Sequence, residues 1–195
     1  MTPHLLEVTL TGFDGYPLAG GDEFVYVLVS PDVAGFPPTY DMATYMERHP
    51  DDPVRGAYYT VRRARPEVGE IDLWVVVHGD PDHDGPPTVS DWMVRATPGA
   101  PLALWGPRDG YRPPDDVRHL LLVADETGLA AVAALIDRLP ADRRATAVLE
   151  TAGPDERPPL PDHPGLRTVW VDRGSDRPGV VNHLVGAVEQ AIDGD

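Results

Sequence analysis

The chain has no cysteine and no lysine: among its 195 residues, all 16 basic side chains are arginine. Without cysteine there is no disulfide framework, no thiolate metal site, no iron–sulfur ligation and no cysteine nucleophile, and the compartment is left weakly indicated. No apolar run approaches the ~18 residues that would span a bilayer. The N-terminus lacks the basic start and apolar block of a signal peptide, so a cytoplasmic protein without a membrane span is expected. A Ser-His-Asp arrangement, paired catalytic carboxylates, a Walker loop and Gly-x-Gly-x-x-Gly are all missing as well. Positive charge is scarce, with 32 acidic residues and a formal net charge of −16. Such a field repels phosphate backbones and argues against nucleic-acid binding. Any anionic ligand then needs a local concentration of arginine, and the densest is Arg55, Arg62, Arg63 and Arg65. The bland reading of that cluster is a solvated edge strand.

What is present suits a globular protein. The chain is 42% hydrophobic, enough to bury a core, and its length fits one large domain or two small ones. Pro3–Thr11 and Phe24–Val29 read as strands, the second strongly buried. A Pro-rich excursion, Pro31–Pro53, follows with a short helix around Asp41–Arg48; a loop of this length in a compact domain is often functional. Arg55–Arg63 and Ile71–His78 read as further strands, and Leu102–Trp105 as a closing one, with Gly/Pro turns between them. That pattern predicts a small antiparallel barrel. Asp80–Gly85 imitates the start of a calcium loop, but Pro86 and Pro87 and the strand in front leave it an acidic surface loop. The pattern changes at Pro113-Pro114. His119–Ala124 is a continuous apolar run, expected for a parallel strand buried on both faces. Leu129–Leu139 has helical spacing, Ala145–Thr151 and Leu166–Asp172 read as parallel strands, and Val180–Ile192 as a helix. Its apolar face is expected to hold Val181, Leu184, Val185, Val188 and Ile192.

The most specific stretch is Ala57-Tyr58-Tyr59-Thr60-Val61-Arg62. It resembles the Arg-x-Tyr-Thr-x-Arg strand of the siderophore-interacting protein family, a branch of the FAD-binding, ferredoxin-reductase-like flavoproteins. Tyr59, Thr60 and Arg62 match, while Ala57 stands where the first Arg should be. Three more segments follow in the same order. The first is His78-Gly79, then Gly85-Pro86 and Thr88-Val89-Ser90 leading to Trp92. Next comes Pro98-Gly99 with Leu102 to Gly106-Pro107. Last is Asp125-Glu126-Thr127, similar to a Gly-Asp-Glu-Thr-Ala-Leu-Pro-Ala element in which Ala124, Gly128 and Ala130 replace Gly, Ala and Pro.

The resemblance implies a β-barrel plus α/β fold: an antiparallel flavin-binding barrel over 1–114, then a truncated parallel-sheet nucleotide-binding domain over 115–195. The chain looks shortened at both ends, lacking a Trp-x-x-Gly-Glu-like loop and a Tyr-Trp-Arg segment. The implied activity is a flavin-dependent oxidoreductase that passes hydride from NAD(P)H to FAD and electrons to a ferric siderophore. The implied cofactor residues are Arg55, Tyr58, Tyr59, Thr60, Val61, Arg62, His78, Gly85, Pro86, Thr88, Val89, Ser90, Trp92, Asp125, Glu126 and Thr127. Among them the Tyr stacks on the isoalloxazine, the Thr faces its reactive edge and the Arg answers the pyrophosphate. Either Arg55 or Arg63 stands in for the arginine that Ala57 replaces, or both are surface groups. The start of the Trp92 helix suits a pyrophosphate, because orphan N–H donors and the positive dipole end meet there. Two other readings stand beside this one. The cleft could serve cofactor-free biosynthetic chemistry, as in a cyclase or isomerase, or the chain could be an accessory subunit that a partner completes.

Overall fold

A computed structural model describes residues 1–16, 22–29, 47, 55–77, 88–179 and 183–193. The first half forms a five-stranded antiparallel sheet in the order β1-β4-β3-β2-β5. Its strands are β1 (Leu5–Thr11), β2 (Phe24–Val29), β3 (Arg55–Arg65), β4 (Glu70–Val76) and β5 (Ala103–Arg108). The short helix α1 (Val89–Arg95) stands between β4 and β5. Among the described residues no ladder joins β1 to β5, so the antiparallel sheet of the expected barrel is present without a closing pair. The second half is a three-stranded parallel sheet, β6-β7-β8, made of β6 (His119–Ala124), β7 (Arg144–Thr151) and β8 (Leu166–Asp172). Helix α2 (Leu129–Asp137) links β6 to β7, and α3 (His183–Asp193) follows β8.

Alternation along the strands divides the antiparallel sheet into two faces. On the inner face Val25, Val27, Val61, Ile71, Leu73 and Val75 are fully buried, and Val89 and Met93 of α1 close over them. On the outer face Leu5 and Trp74 join a different cluster, built mainly from α2, β6 and β7: Leu129, Val132, Ala133 and Ile136 with Leu120, Leu122, Ala145, Ala147 and Leu149. One core is therefore shared by both sheets. Near it the β3–β4 register shifts between Val61 and Arg63, a bulge of the kind that re-aims a side chain.

Two expectations change in the second half. The apolar run of β6 is buried on one face only: Leu120 and Leu122 join the cluster of α2, whereas Leu121 and Val123 are exposed. Helix α3 is rotated from the expected face. Ala191 is its buried residue, while Val185 and Ile192 project outward; α3 touches only β7 and β8 closely, and the small Ala191 permits that approach. The short helix at 41–48, apart from Glu47, and the acidic run 80–85 lie outside the described residues.

The departures at Ala124 and Gly128 prove to be one exchange. A Cβ added to Gly128 would lie 2.8 Å from the Ala124 Cβ, so the β6–α2 turn has room for a methyl at one position only. Gly128 has φ −92° and ψ −7°, which any residue adopts, and the contact alone demands glycine. Gly128→Ala is therefore expected to lower the unfolding free energy by about 1–3 kcal/mol, and adding Ala124→Gly to recover most of it. Urea unfolding checks this; equal midpoints for the single and double variants would contradict the contact.

Candidate functional site

The site begins with the register of three adjacent strands. Phe24 of β2 lies opposite Thr60 of β3 and Arg108 of β5; two residues on, Tyr26 lies opposite Tyr58 and Trp105. All six side chains share the outer face. Between the two rungs the β2–β5 register shifts, and this extra residue restores Arg108 to the side of Trp105. The Tyr58 ring meets Phe24 edge-on at 5.5 Å and Tyr26 at 4.6 Å between centroids. Tyr26 lies across Gly56, where a Cβ would come within 2.4 Å of its ring. Glycine on one strand thus makes room for the aromatic of the next. Arg108 sits 4.0 Å above the centre of the Trp105 ring. Tyr58 is 62% exposed and Trp105 52%, a partly exposed aromatic surface on β3 and β5.

In front of this surface is a cleft of about 490 Å³. Phe24, Ala57, Tyr58, Tyr59, Thr60 and Arg108 form one wall, Trp74 and Val76 another, and Thr127 and Ala130 at the start of α2 stand across from them. Asp22 and Gly110 close one end. The Asp22 carboxylate crowds Gly110 so closely that a Cβ there would overlap it. Burial holds the Asp22 carboxyl above the usual carboxylate range, against a backbone hydrogen bond from Tyr111 that lowers it. Tyr59 lines the cleft too, and packs on the inner cluster as well. Burial pushes its hydroxyl up to about 12.

The structure brings Tyr58, Tyr59, Thr60 and Thr127 together in this cleft. The other expected residues that are described lie elsewhere. Val61 is fully buried in the inner cluster. Arg62 is nearly buried, lies 5.0 Å over the Trp74 ring and is paired with Asp137 of α2, so it fastens the helix to the sheet. Thr88 and Asp91 form a capping box at the α1 terminus: the Thr88 hydroxyl accepts from the Asp91 N–H at 3.2 Å, and the Asp91 carboxylate accepts from the Thr88 N–H at 2.7 Å. Val89 and Ser90 are buried, and Trp92 packs against the inner cluster. Asp125 accepts from the Thr127 N–H at 2.9 Å and its hydroxyl at 2.6 Å, shaping the turn that presents Thr127. Glu126 turns away from the cleft, accepting from the Ala152 N–H at 2.9 Å and from Arg173 at 2.7 Å. Arg63 is exposed and opposite Asp72. The Arg55 side chain, His78, Gly85 and Pro86 lie outside the described residues.

Sequence reasoning missed Asp22, Phe24, Tyr26, Trp105 and Arg108. For β2 a signal was there: Phe-Val-Tyr-Val alternates aromatic with valine, which places both rings on one face. Arg108 gave none, because only the bulge decides its side. Among the described residues no group of three or more His, Asp or Glu could hold a metal ion, and no helix is long and apolar enough to cross a membrane.

Comparison with known proteins bears on the family and the fold. The model of the siderophore-interacting FAD-binding domain matches residues 1–111, and that of the siderophore-interacting protein family matches residues 117–192. An uncharacterized protein of Mycobacterium tuberculosis is 32% identical over 96% of this chain and 69% of its own length. Ferric vibriobactin reductase ViuB of Vibrio cholerae is 27% identical over 97% of this chain and 68% of its own. The crystal structure of a siderophore utilization protein from T. fusca superposes with a TM-score of 0.77 at 30% identity, covering 97% of this chain and 71% of that one. The fold alone extends to a ferredoxin reductase of carbazole 1,9a-dioxygenase, at 19% identity and a TM-score of 0.64 over 97% of this chain and 53% of that one.

The Arg62–Asp137 pair sets the position of the cleft's far wall. Asp137→Ala leaves a guanidinium whose side chain is 5% exposed without its carboxylate, and is expected to cost about 1–3 kcal/mol of stability. Arg62→Met with Asp137→Leu, which removes both charges, should cost less. Thermal unfolding of the variants decides; an unchanged midpoint for Asp137→Ala would show that the pair holds nothing.

Proposed function

Because the chain belongs to the siderophore-interacting protein family, whose FAD-binding domain model matches residues 1–111, we propose that it is a flavin-dependent oxidoreductase acting on a ferric siderophore, with NAD(P)H as the source of hydride. The single observation that carries the reading is the cleft between the Tyr58–Thr60 strand and Thr127, open in front of exposed aromatic rings. Its size falls in the range of about 300–1,000 Å³ usual for cofactor sites. Its lining suits a flat conjugated ring on one side and hydrogen-bonding groups on the other.

In this reading FAD lies on the outer face of β3. The Tyr58 ring, steadied by Phe24 and Tyr26, packs on the flavin, and the Thr60 and Thr127 hydroxyls address its polar edge. Tyr59 supports the strand from beneath. Trp74 and Val76 keep water from the buried side of the ring. When bound, FAD supplies the transfer of reducing equivalents from nicotinamide to ferric iron, and the protein contributes binding, orientation and electrostatics. The division into a flavin domain over 1–114 and a nucleotide-binding domain over 115–195 belongs to the same proposal. It is supported by the change from antiparallel to parallel pairing across that point.

A second reading is favoured by one observation: the cleft wall carries Ala57 in place of an arginine, and Arg62 is tied to Asp137. A relative that had given up the flavin could use the same cleft for cofactor-free cyclase or isomerase chemistry. FAD titration separates the two. The purified protein should be yellow, or quench the fluorescence of added FAD, and anaerobic NAD(P)H should bleach the bound flavin; a protein that binds no FAD belongs to the second reading. Tyr58→Ala should weaken FAD by about 1 kcal/mol, roughly fivefold, because the ring that packs on the flavin is removed, with little change in stability. Tyr59→Ala should instead lower stability by about 2 kcal/mol or more. A reversed pattern would place the flavin against the other face of β3.

A further inference from the structure

We propose that Arg108, held on Trp105, is the residue that binds the phosphates of the dinucleotide in this cleft. The inference rests on the FAD reading of the cleft and adds to it a residue that the motif does not contain. A dinucleotide brings two phosphate charges into a chain of formal net charge −16, and long-range repulsion opposes their entry unless a cation stands at the site. Among the described residues lining the cleft, Arg108 is the one cation.

Nearby arginines are committed elsewhere. Arg62 is paired with Asp137, Arg65 with Asp72 and Glu70, and Arg138 with Glu23. Arg108 instead rests its guanidinium face 4.0 Å above the Trp105 ring. That contact orients the planar group while leaving its N–H edges free, the geometry in which arginine donates to phosphate oxygens. Position agrees with charge. Thr60, Phe24 and Arg108 form one rung across β3, β2 and β5. Two strand spacings, roughly 10 Å, therefore separate the backbone beside the flavin ring from that of Arg108. A ribityl chain leaving a ring seated on Tyr58 and Thr60 spans such an interval.

The test compares riboflavin, FMN and FAD, which share the ring and differ in phosphate, by fluorescence titration of the wild-type protein and of Arg108→Gln and Arg108→Lys. The expected result is a loss of about ten- to hundredfold in FAD and FMN affinity for Arg108→Gln, the size of a charge-assisted hydrogen bond. Riboflavin affinity should stay unchanged, and Arg108→Lys should recover part of the loss. The difference between wild type and Arg108→Gln should shrink as salt is raised. Wild-type protein that binds FAD while Arg108→Gln binds it equally well overturns the inference and leaves the flavin reading standing. An equal loss for riboflavin and FAD also overturns it, since the side chain would then act on the ring. Failure of wild type to bind any of the three removes the flavin reading itself.

Discussion

A pleated sheet has two faces, and in this protein each is covered by a different partner. The inner face of β1–β5 is closed by its own side chains and by Val89 and Met93 of α1. The outer face is covered by α2, through Leu5 and Trp74, over only part of its width. Beyond α2, Tyr58 of β3 and Trp105 of β5 stay more than half exposed among the described residues. The cleft is that boundary. Because Trp74 belongs both to the shared core and to the cleft wall, the packing that joins the two sheets also sets the width of the site.

Positive charge is distributed just as sparingly. With twice as many acids as bases, arginine is in short supply, and several are placed as fasteners between the sheets. Arg62 reaches Asp137, and Arg138 reaches Glu23, whose side chain is almost wholly buried. His4 binds Glu156 from the far end of the chain. Exposed pairs contribute little, so the fasteners with a buried member matter most. In the parallel sheet Arg173 lies between Glu126 and Glu150, and those contacts hold its pKa above the ordinary arginine value despite the opposing effect of burial. Glu126 therefore belongs to the support of the strand ends, while its neighbour Thr127 faces the cleft.

Departures from a motif gain meaning only with their surroundings. Ala124 and Gly128 look like two losses in the sequence, yet across the β6–α2 contact they are one methyl moved from one side to the other. Ala57 has no such nearby compensation among the described side chains of its own strand, where Arg62 and Arg65 are paired and Arg63 is exposed. The cation of the cleft comes from β5, across a register shift that no local pattern announces.

The amino-acid sequence by itself determined the order of the strands and helices, the change from antiparallel to parallel pairing, and one strand, β3, that lines the candidate cleft. These follow from local periodicity, turn residues and a motif read along one segment. Only the tertiary structure decided that Tyr58 is exposed while Tyr59 packs on the inner cluster, that Arg62 is a fastener, that β6 shows Leu121 and Val123 to solvent, and that α3 turns Val185 and Ile192 outward. The reason is geometric. Alternation tells which residues share a face, but which face becomes core depends on where α1, α2 and α3 dock, and a single inserted residue in a ladder reverses the side from which a charge points.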